Sequence, residues 1–335
     1  MKKSPQVIVI IPTLNEAAHI ASLIELFAIE RTASFDFDIA VVDGGSTDGT
    51  VEIVKQMSNR YPFVHLRQNK RRIQSVAVNL AAREWSHCDI MIRCDAHSGY
   101  RPGFLHGVAS ALLTTGADSV VVPMDSVGSN YVSRAIAWLS DTPAGSGGSA
   151  HRGGTKSGYV DHGHHAAFSL PRFLELGGYD ETFTHNEDAE YDCRLRKIGG
   201  RIYMDSVHRI TYFPRRTLAA LARQYFSYGR GRSRTVMRHP ESLRLRQLLV
   251  PANSVAVFLS CLWFLLDPNA LAAVLPLAYV GALLLVSLYL AVKNRSACGF
   301  IALPAAILMH FSWALGFLTQ IVRAKAIDDR SRRAV

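Results

Sequence analysis

Asp89-Ile90-Met91-Ile92-Arg93-Cys94-Asp95-Ala96-His97 is the stretch on which the reading of this chain turns. Its apolar start predicts a short buried strand. Side chains alternate along extended backbone, so Arg93, Asp95 and His97 point to one side of it. A carboxylate and an imidazole converging at a strand end can hold a divalent cation. Arg93 adds a fixed positive charge on the same side, and one anion suits all three: a metal-bound diphosphate. The same residues also fit a plain strand end with a solvated Asp and a surface His. The rest of the chain decides between the two.

Upstream of that strand, strand and helix alternate. Val7 to Ile11 is a continuous apolar, β-branched run, as in a parallel strand buried on both faces. Pro12-Thr13-Leu14-Asn15-Glu16 stops it, and Ala17 to Ala28 carries helical periodicity. A second strand, Ile39 to Val42, ends at Asp43-Gly44-Gly45-Ser46-Thr47-Asp48-Gly49-Thr50. Asp48 or Thr50 caps the next helix, which runs to about Tyr61. Phe63 to Leu66 is a third strand, Asn69 to Arg72 a basic loop and Ser75 to Glu84 a helix. This order predicts a mostly parallel α/β sheet flanked by helices, with ligands at the carboxyl ends of its strands. Those ends carry Thr13, Asn15, Glu16, Asp43 and Asp95. An acid there accepts hydrogen bonds from a ribose hydroxyl or a base N–H. The glycines after Asp43 do not form a dinucleotide-binding turn, because G-x-G-x-x-G is absent and the Asp precedes them. An ordinary tight turn also accounts for Gly44 and Gly45.

Downstream, Ser119 to Pro123 is a further strand, and the Gly- and Ser-rich segment Ala144 to Thr155 is expected to be a mobile loop, a candidate lid. Asp161-His162-Gly163-His164-His165 invites a zinc reading, but no cysteines accompany it and adjacent histidines do not match ordinary ligand spacing. His185 to Asp192 is a second acidic concentration. It leads into a helix that ends on basic residues and Gly199-Gly200. Glu187 and Asp188 fall in its first turn, where the helix dipole favours negative charge. The same two carboxylates are general-base material.

The chain has 335 residues, a size for about two domains. Its five cysteines show no paired spacing, which argues against a disulfide framework or zinc ribbon and for a reducing compartment. The apolar run after Lys2 and Lys3 is too short for a signal-peptide core, so the first part of the chain is expected to stay in the cytosol. Formal net charge is +10, and ten arginines against one acid, Glu241, lie between His208 and Arg246. Three apolar stretches follow, Val250 to Leu266, Ala270 to Val292 and Ala297 to Val322. A membrane span needs about 20 residues. A basic cluster just before such a tail attracts anionic headgroups and keeps the preceding domain on the cytoplasmic side of the inner membrane. Nucleic acid, the other common partner of such a cluster, is set aside on the strength of the tail. The expected division is a catalytic domain over 1–240, with its juxtamembrane basic segment from about 208, and a membrane domain over 241–335. Three full spans would put the basic C-terminus outside, against the positive-inside rule, so two or three spans stay open. The first stretch, shortest and bearing Pro251 and Asn253, is the candidate for an interfacial or re-entrant exception.

Four motifs arrive in order: Ile8-Val9-Ile10-Ile11-Pro12-Thr13-Leu14-Asn15-Glu16, Val42 to Thr50, Asp95-Ala96-His97 and Asn186-Glu187-Asp188-Ala189-Glu190. Together they resemble the family 2 glycosyltransferases, over roughly residues 5 to 235. Within that family, Arg93 to Tyr100 and Gln224 to Gly231 resemble the succinoglycan-type exopolysaccharide β-1,3-glucosyltransferases. The resemblance implies a GT-A fold and inverting transfer from a UDP-sugar. It implies that Pro12, Thr13, Asn15, Glu16 and Asp43 contact the nucleotide, that Arg93 and Asp95 handle the diphosphate, and that Asp95 holds Mn2+ or Mg2+. His97 stands where the family's second Asp usually is, and His208 is a further candidate ligand beyond the strand Arg201 to Met204. Asp188 matches the family's base, with Glu187 as its rival. The Q-x-x-R-W motif of processive synthases is missing after Gln224, which favours addition of a single sugar. A membrane tail then implies a saccharide acceptor on a polyprenyl diphosphate, in exopolysaccharide biosynthesis. Two other functions compete: transfer to polyprenyl phosphate itself, where the acceptor is already an anion and needs no base, and a membrane nucleotide-sugar sensor without catalysis. The segment Arg223 to Arg234 is expected along the membrane face, closing the site, with Tyr225, Phe226 and Tyr228 at the headgroups and its arginines on phosphates.

A mixed Asp95/His97 pair favours Mn2+, because imidazole is a softer ligand than Mg2+ prefers. Activity should vanish in excess chelator and return best with Mn2+, and His97→Asp should move the preference toward Mg2+. An unchanged metal profile in that variant would show that His97 is not a ligand.

Overall fold

Runs of alternating or continuous β-branched residues become strands in the computed structural model of the chain, and the segments between them become helices. The structure describes residues 4–148, 152 and 154–333, the last eight of these by backbone alone. The first elements are β1 (Val7–Thr13), α1 (Ile20–Glu30), β2 (Phe37–Asp43), α2 (Thr50–Arg60), β3 (Val64–Gln68) and α3 (Gln74–Glu84). Next come β4 (Ile90–Arg93), α4 (Phe104–Thr115), β5 (Ser119–Val122), β6 (Met124–Ser126), α5 (Tyr131–Ser140) and α6 (Pro143–Ser146). Then follow β7 (Gly158–Val160), β8 (His164–Ser169), α7 (Leu170–Glu175), α8 (Glu187–Lys197), β9 (Ile202–Met204) and β10 (Ile210–Tyr212). Four long helices complete the chain: α9 (Leu218–Arg238), α10 (Leu245–Leu266), α11 (Ala270–Lys293) and α12 (Ala302–Arg333). By contacts the chain forms two units, Met1–Asp125 with Gly153–Tyr212, and Ser126–Arg152 with Phe213–Val335.

The first unit is built on an eight-stranded sheet of order β3-β2-β1-β4-β8-β5-β9-β7. Its first half is parallel throughout, so β1, β2 and β4 end at one edge. β8 enters antiparallel between β4 and β5. β1 shows why the sheet is central: Val7, Val9 and Ile11 face one apolar cluster with Ile24, Phe27 and Val108, while Ile8 and Ile10 face another with Val78, Trp85 and Phe168. A strand buried on both faces needs no polar alternation. Pro12, expected to stop this strand, lies inside it, registered on Val42 of β2. The pairing of β1 with β4 has already ended at Ile10, so the missing N–H of Pro12 leaves no ladder position open on that side. α1 begins three residues later than expected, at Ile20. Gly49 rather than Asp48 or Thr50 occupies the N-cap of α2, with φ at 94°. Asp48 still accepts from the Thr50 N–H at 3.1 Å.

The second unit is helical. Its apolar core joins Ile136 and Leu139 of α5, Leu221 of α9, Leu283 and Leu290 of α11, and Ala305 and Met309 of α12. Arg223 to Arg234 falls within α9, which packs lengthwise on α12. There Arg230 Nε donates to Gln320 Oε1 at 3.4 Å, and Arg232 donates to Gln247 Oε1 at 3.0 Å and to the Ser242 carbonyl. α10 and α11, and the apolar helix Ala297–Lys325, are each long and apolar enough to cross a membrane, the first of them included. Of the segment expected as a lid, Pro143–Ser146 is a helical turn capped by Thr142, and residues 149–151 and 153 lie outside the described residues.

Two glycines set the approach of α9 to α12. A Cβ on Gly229 would lie 2.0 Å from the Trp313 carbonyl oxygen, and one on Gly316 2.0 Å from that of Phe226. Backbones that touch in this way exclude any side chain. Gly229→Leu should therefore destabilise the helical unit by about 1–3 kcal/mol or more. Thermal unfolding of the purified protein in detergent checks this, and a transition equal to wild type would refute the packing.

Candidate active site

The parallel strands bring the predicted residues to one edge, and their loops interlock there. Asn15, at φ 58°, donates its N–H to Ser46 Oγ at 2.8 Å and accepts from the Thr47 N–H at 2.9 Å. The Glu16 N–H donates to Thr50 Oγ1 and the Ala17 N–H to Asp48 Oδ2. The two motifs after β1 and β2 thus form a single rim. Asp43 organises it, accepting from the Gly45 and Ser46 N–H groups and from the Ser46 hydroxyl. Thr13 is buried and donates its hydroxyl back to the Ile11 carbonyl. Arg72 lies over the turn, its guanidinium nitrogen 3.3 Å from where a Gly45 Cβ would be.

At the end of β4, His97 Nδ1 lies 2.9 Å from Glu16 Oε1, which ties this strand end to that of β1. Gln74 Nε2 donates to Asp95 Oδ1 at 2.8 Å, and the Asp95 N–H donates to the Tyr100 hydroxyl at 2.7 Å. The β4–β8 register, continued past Ile92, sets His164 opposite Asp95. Its Nε2 is 3.8 Å from Asp95 Oδ2. Burial lowers the His164 imidazole to about 4 against the pull of Asp95, so it is neutral near pH 7. Burial pushes the Asp95 carboxyl up, yet Arg93, His164 and His97 outweigh it and hold it below the usual range.

Arg93 is buried behind Asp95. Its guanidinium lies 3.5 Å from Asp95 Oδ1, 3.4 Å from Glu187 Oε1 and 3.3 Å from the Tyr179 hydroxyl. The fixed charge expected beside a diphosphate is thus set between two carboxylates. Glu187 and Asp188 open α8 after Asn186, which takes the left-handed conformation at φ 69°. Glu187 turns inward to Arg93 and is buried, while Asp188 is half-exposed and accepts from the Ala189 N–H at 2.7 Å. Neighbours on a helix point about 100° apart, so only one of the pair can face the buried guanidinium. Arg194 locks the helix in place, donating to Glu190, to the Leu176 carbonyl and to the Gly178 carbonyl.

His208 is not brought to Asp95. Its Nδ1 lies 2.6 Å from Asp205 Oδ2, and its ring rests on Gly107 of α4, in a groove also lined by His106 and Tyr203. The run after β9 carries it there, a placement that strand periodicity does not encode. Among the described residues no three His, Cys, Asp or Glu side chains converge as a ready-made metal site. Gln74, His164 and Tyr179 are residues that sequence reasoning missed. The sequence of Asp161 to His165 suggests only zinc, and nothing local signals that His164 faces Asp95.

Comparison with known proteins agrees with this geometry. Residues 8–172 match the model of glycosyl transferase family 2. The chain is 40% identical to the succinoglycan biosynthesis protein ExoA of Rhizobium meliloti, across 94% of each. A dolichyl N-acetyl-alpha-D-glucosaminyl phosphate 3-beta-D-2,3-diacetamido-2,3-dideoxy-beta-D-glucuronosyltransferase of Methanococcus voltae is 23% identical, across 95% of this chain and 98% of that one. Among solved structures, the mannosyltransferase PcManGT of Pyrobaculum calidifontis, in complex with GDP-Man and Mn2+, superposes with a TM-score of 0.58. It is 20% identical, over 92% of this chain and 88% of that one. The chain belongs to glycosyl transferase family 2: it has the GT-A fold and is a glycosyltransferase.

Arg93 ties stability to pH. Burial raises the Glu187 carboxyl above its ordinary 4.5, with Arg93 opposing and Asp188 adding. Asp95 is held below 3.8, so it contributes stability above that value and loses it as pH falls. Removing the guanidinium moves both carboxyls up, and each then costs stability as pH rises past its unfolded value. The gap in thermal stability between wild type and Arg93→Met should therefore widen from about pH 4 to pH 7. A gap independent of pH would contradict the pairing.

Proposed function

We propose that this enzyme adds one sugar, with inversion, from a nucleotide-sugar donor to a lipid-linked saccharide at the cytoplasmic face of the inner membrane, in exopolysaccharide biosynthesis. UDP-glucose and a β-1,3 linkage are the donor and product we assign. The observation that carries this reading is the rim of strand ends, where donor-side Asp95 and base-side Asp188 flank one neutral imidazole, His164. The 40% identity to a succinoglycan biosynthesis protein supports the pathway. The name of the archaeal relative specifies 3-β transfer to a dolichyl-linked sugar phosphate, which supports a lipid-linked acceptor. Three helices able to cross a membrane support tethering beside such a lipid.

In this reading Thr13, Asn15, Glu16 and Asp43 shape the nucleotide pocket, Arg72 supplies positive charge around the diphosphate, and Arg93 holds Asp95 from behind. A divalent cation, when bound, would neutralise charge developing on the leaving diphosphate. Asp95 fits such an ion as an ionised carboxylate between two imidazoles, His97 and His164. Ligands beyond these would come from the diphosphate and water, as is usual for Mn2+ or Mg2+. Asp188 is the base: half-exposed, it can meet an acceptor hydroxyl, whereas Glu187 is held by Arg93. It would take the hydroxyl proton as the oxygen attacks the anomeric carbon opposite the nucleotide.

General-base assistance is typically worth about 10²–10⁴ in rate. Asp188→Asn should lose transfer by about that factor, with donor affinity nearly unchanged. The assay is incubation of membranes with labelled UDP-sugars and lipid extract, followed by identification of the lipid product. A fully active Asp188→Asn would point to an acceptor that is already an anion, polyprenyl phosphate. Nucleotide-sugar binding without any product would point to a sensor.

A further inference from the structure

Behind Arg93 runs a chain of buried polar side chains with no part in the chemistry above. The Tyr179 hydroxyl lies 2.7 Å from His165 Nδ1, and His165 Nε2 lies 2.8 Å from Asp192 Oδ1. Asp192 Oδ2 in turn lies 2.7 Å from Nδ1 of half-exposed His162. Tyr179, His165 and Asp192 are almost wholly out of solvent. Tyr179 stacks on the imidazole of His165, with ring centroids 5.9 Å apart, and Phe168 and Tyr191 meet it edge-on.

Hydrogen-bond accounting gives the chain a direction. Burial pushes the Asp192 carboxyl up, but His165 and His162 outweigh it and keep it ionised, so it only accepts. His165 then donates from Nε2 and accepts at Nδ1, where the Tyr179 hydroxyl donates. The Tyr179 oxygen is left to accept from Arg93. From Tyr179 to Asp192 every proton has a partner in this arrangement and in no other tautomer. A proton wire is ruled out by its last member, since a guanidinium does not give up a proton in a protein.

Bond lengths separate the two ends of the chain. From Tyr179 to His162 the contacts are 2.7–2.8 Å, whereas those of Arg93 are 3.3–3.5 Å and its buried Nε has no hydrogen-bond partner. The guanidinium is therefore held loosely on every side, and its shortest contact, to the Tyr179 hydroxyl at 3.3 Å, is to a side chain that His165 holds tightly at 2.7 Å. Apolar residues of similar volume would stabilise this core at least as well as buried polar ones. Orientation is what the polar set adds.

We propose that Tyr179, His165 and Asp192 are positioning residues that fix Arg93 between donor-side Asp95 and base-side Glu187, and so govern turnover rather than donor binding. This rests on the reading of Asp95 and Asp188 given above. Asp95 ends β4 and Asp188 opens α8, next to Glu187, so the Arg93 bridge sets the spacing of the two reacting sides. An error of about 1 Å in such spacing can cost about 10²-fold in rate.

The test uses the full-length enzyme. Tyr179→Phe removes one oxygen and keeps the ring in its aromatic cluster, and Asp192→Asn keeps its shape while removing the charge that sets the chain's direction. Each should lower kcat about tenfold or more and leave the dissociation constant for UDP-glucose within about twofold. The double variant should be no slower than the slower single one, because both cut the same chain. Wild-type kcat in Tyr179→Phe, losses that multiply, or equal loss of donor binding would overturn the proposal. If Tyr179→Phe does not fold, Asp192→Asn alone decides on the same criteria. A second readout needs no activity: the Arg93 Nη–H signals in nitrogen-15 NMR should exchange slowly in wild type and quickly in Tyr179→Phe. Unchanged protection would also overturn the proposal. A wild-type enzyme without transfer would fail the assigned donor and acceptor, while the exchange measurement would still judge the chain.

Discussion

A guanidinium out of water between two carboxylates is the constraint around which the catalytic unit is arranged. Asp95 and Glu187 lie at the end of β4 and the start of α8, more than ninety positions apart in the chain, and each is largely removed from solvent. Uncompensated burial of either charge would cost several kcal/mol, and removing the cation would expose both to that penalty. Arg93 can meet them only because β4 lies beside β8 and α8 is pinned by Arg194 to the Leu176 and Gly178 carbonyls. The aromatic cluster of Phe168, Phe173, Tyr179 and Tyr191 fills the space behind it.

On the open side, shape comes from loops that hold one another. A loop at a strand end has backbone donors that must be satisfied. Here Asn15, Ser46, Asp48 and Thr50 satisfy them between the ends of β1 and β2, and Glu16 reaches His97 beyond β4. Such a rim is held by its own hydrogen bonds, which lowers the cost of ordering it on binding.

The helical unit follows a different rule. Where α9 meets α12, close backbone contact sets the separation of the helices. Gly229 and Gly316 provide that contact reciprocally between α9 and α12. Arg230 and Arg232 of α9 donate to Gln320, Ser242 and Gln247 within the same unit. Helical periodicity places such residues on a surface without saying which partner covers it.

Much of the fold was legible because its information is local. β1 to β5 and helices α1 to α3 follow from runs of β-branched residues and from turn chemistry, to within a few positions, whereas α4 was not read from the sequence. The motif around Asp43, the Asp95–His97 strand end and the acidic start of α8 were likewise visible as residue types in a stated order. What the sequence by itself determined is therefore the class of sheet, the edge that gathers the motif residues and the apolar tail. Only the tertiary structure decided that β8 runs antiparallel beside β4 and sets His164 against Asp95, that Glu187 turns in and Asp188 out, and that His208 faces α4 instead. Register between strands some seventy residues apart, and the rotation of a helix about its axis, depend on packing across the whole core rather than on any local period.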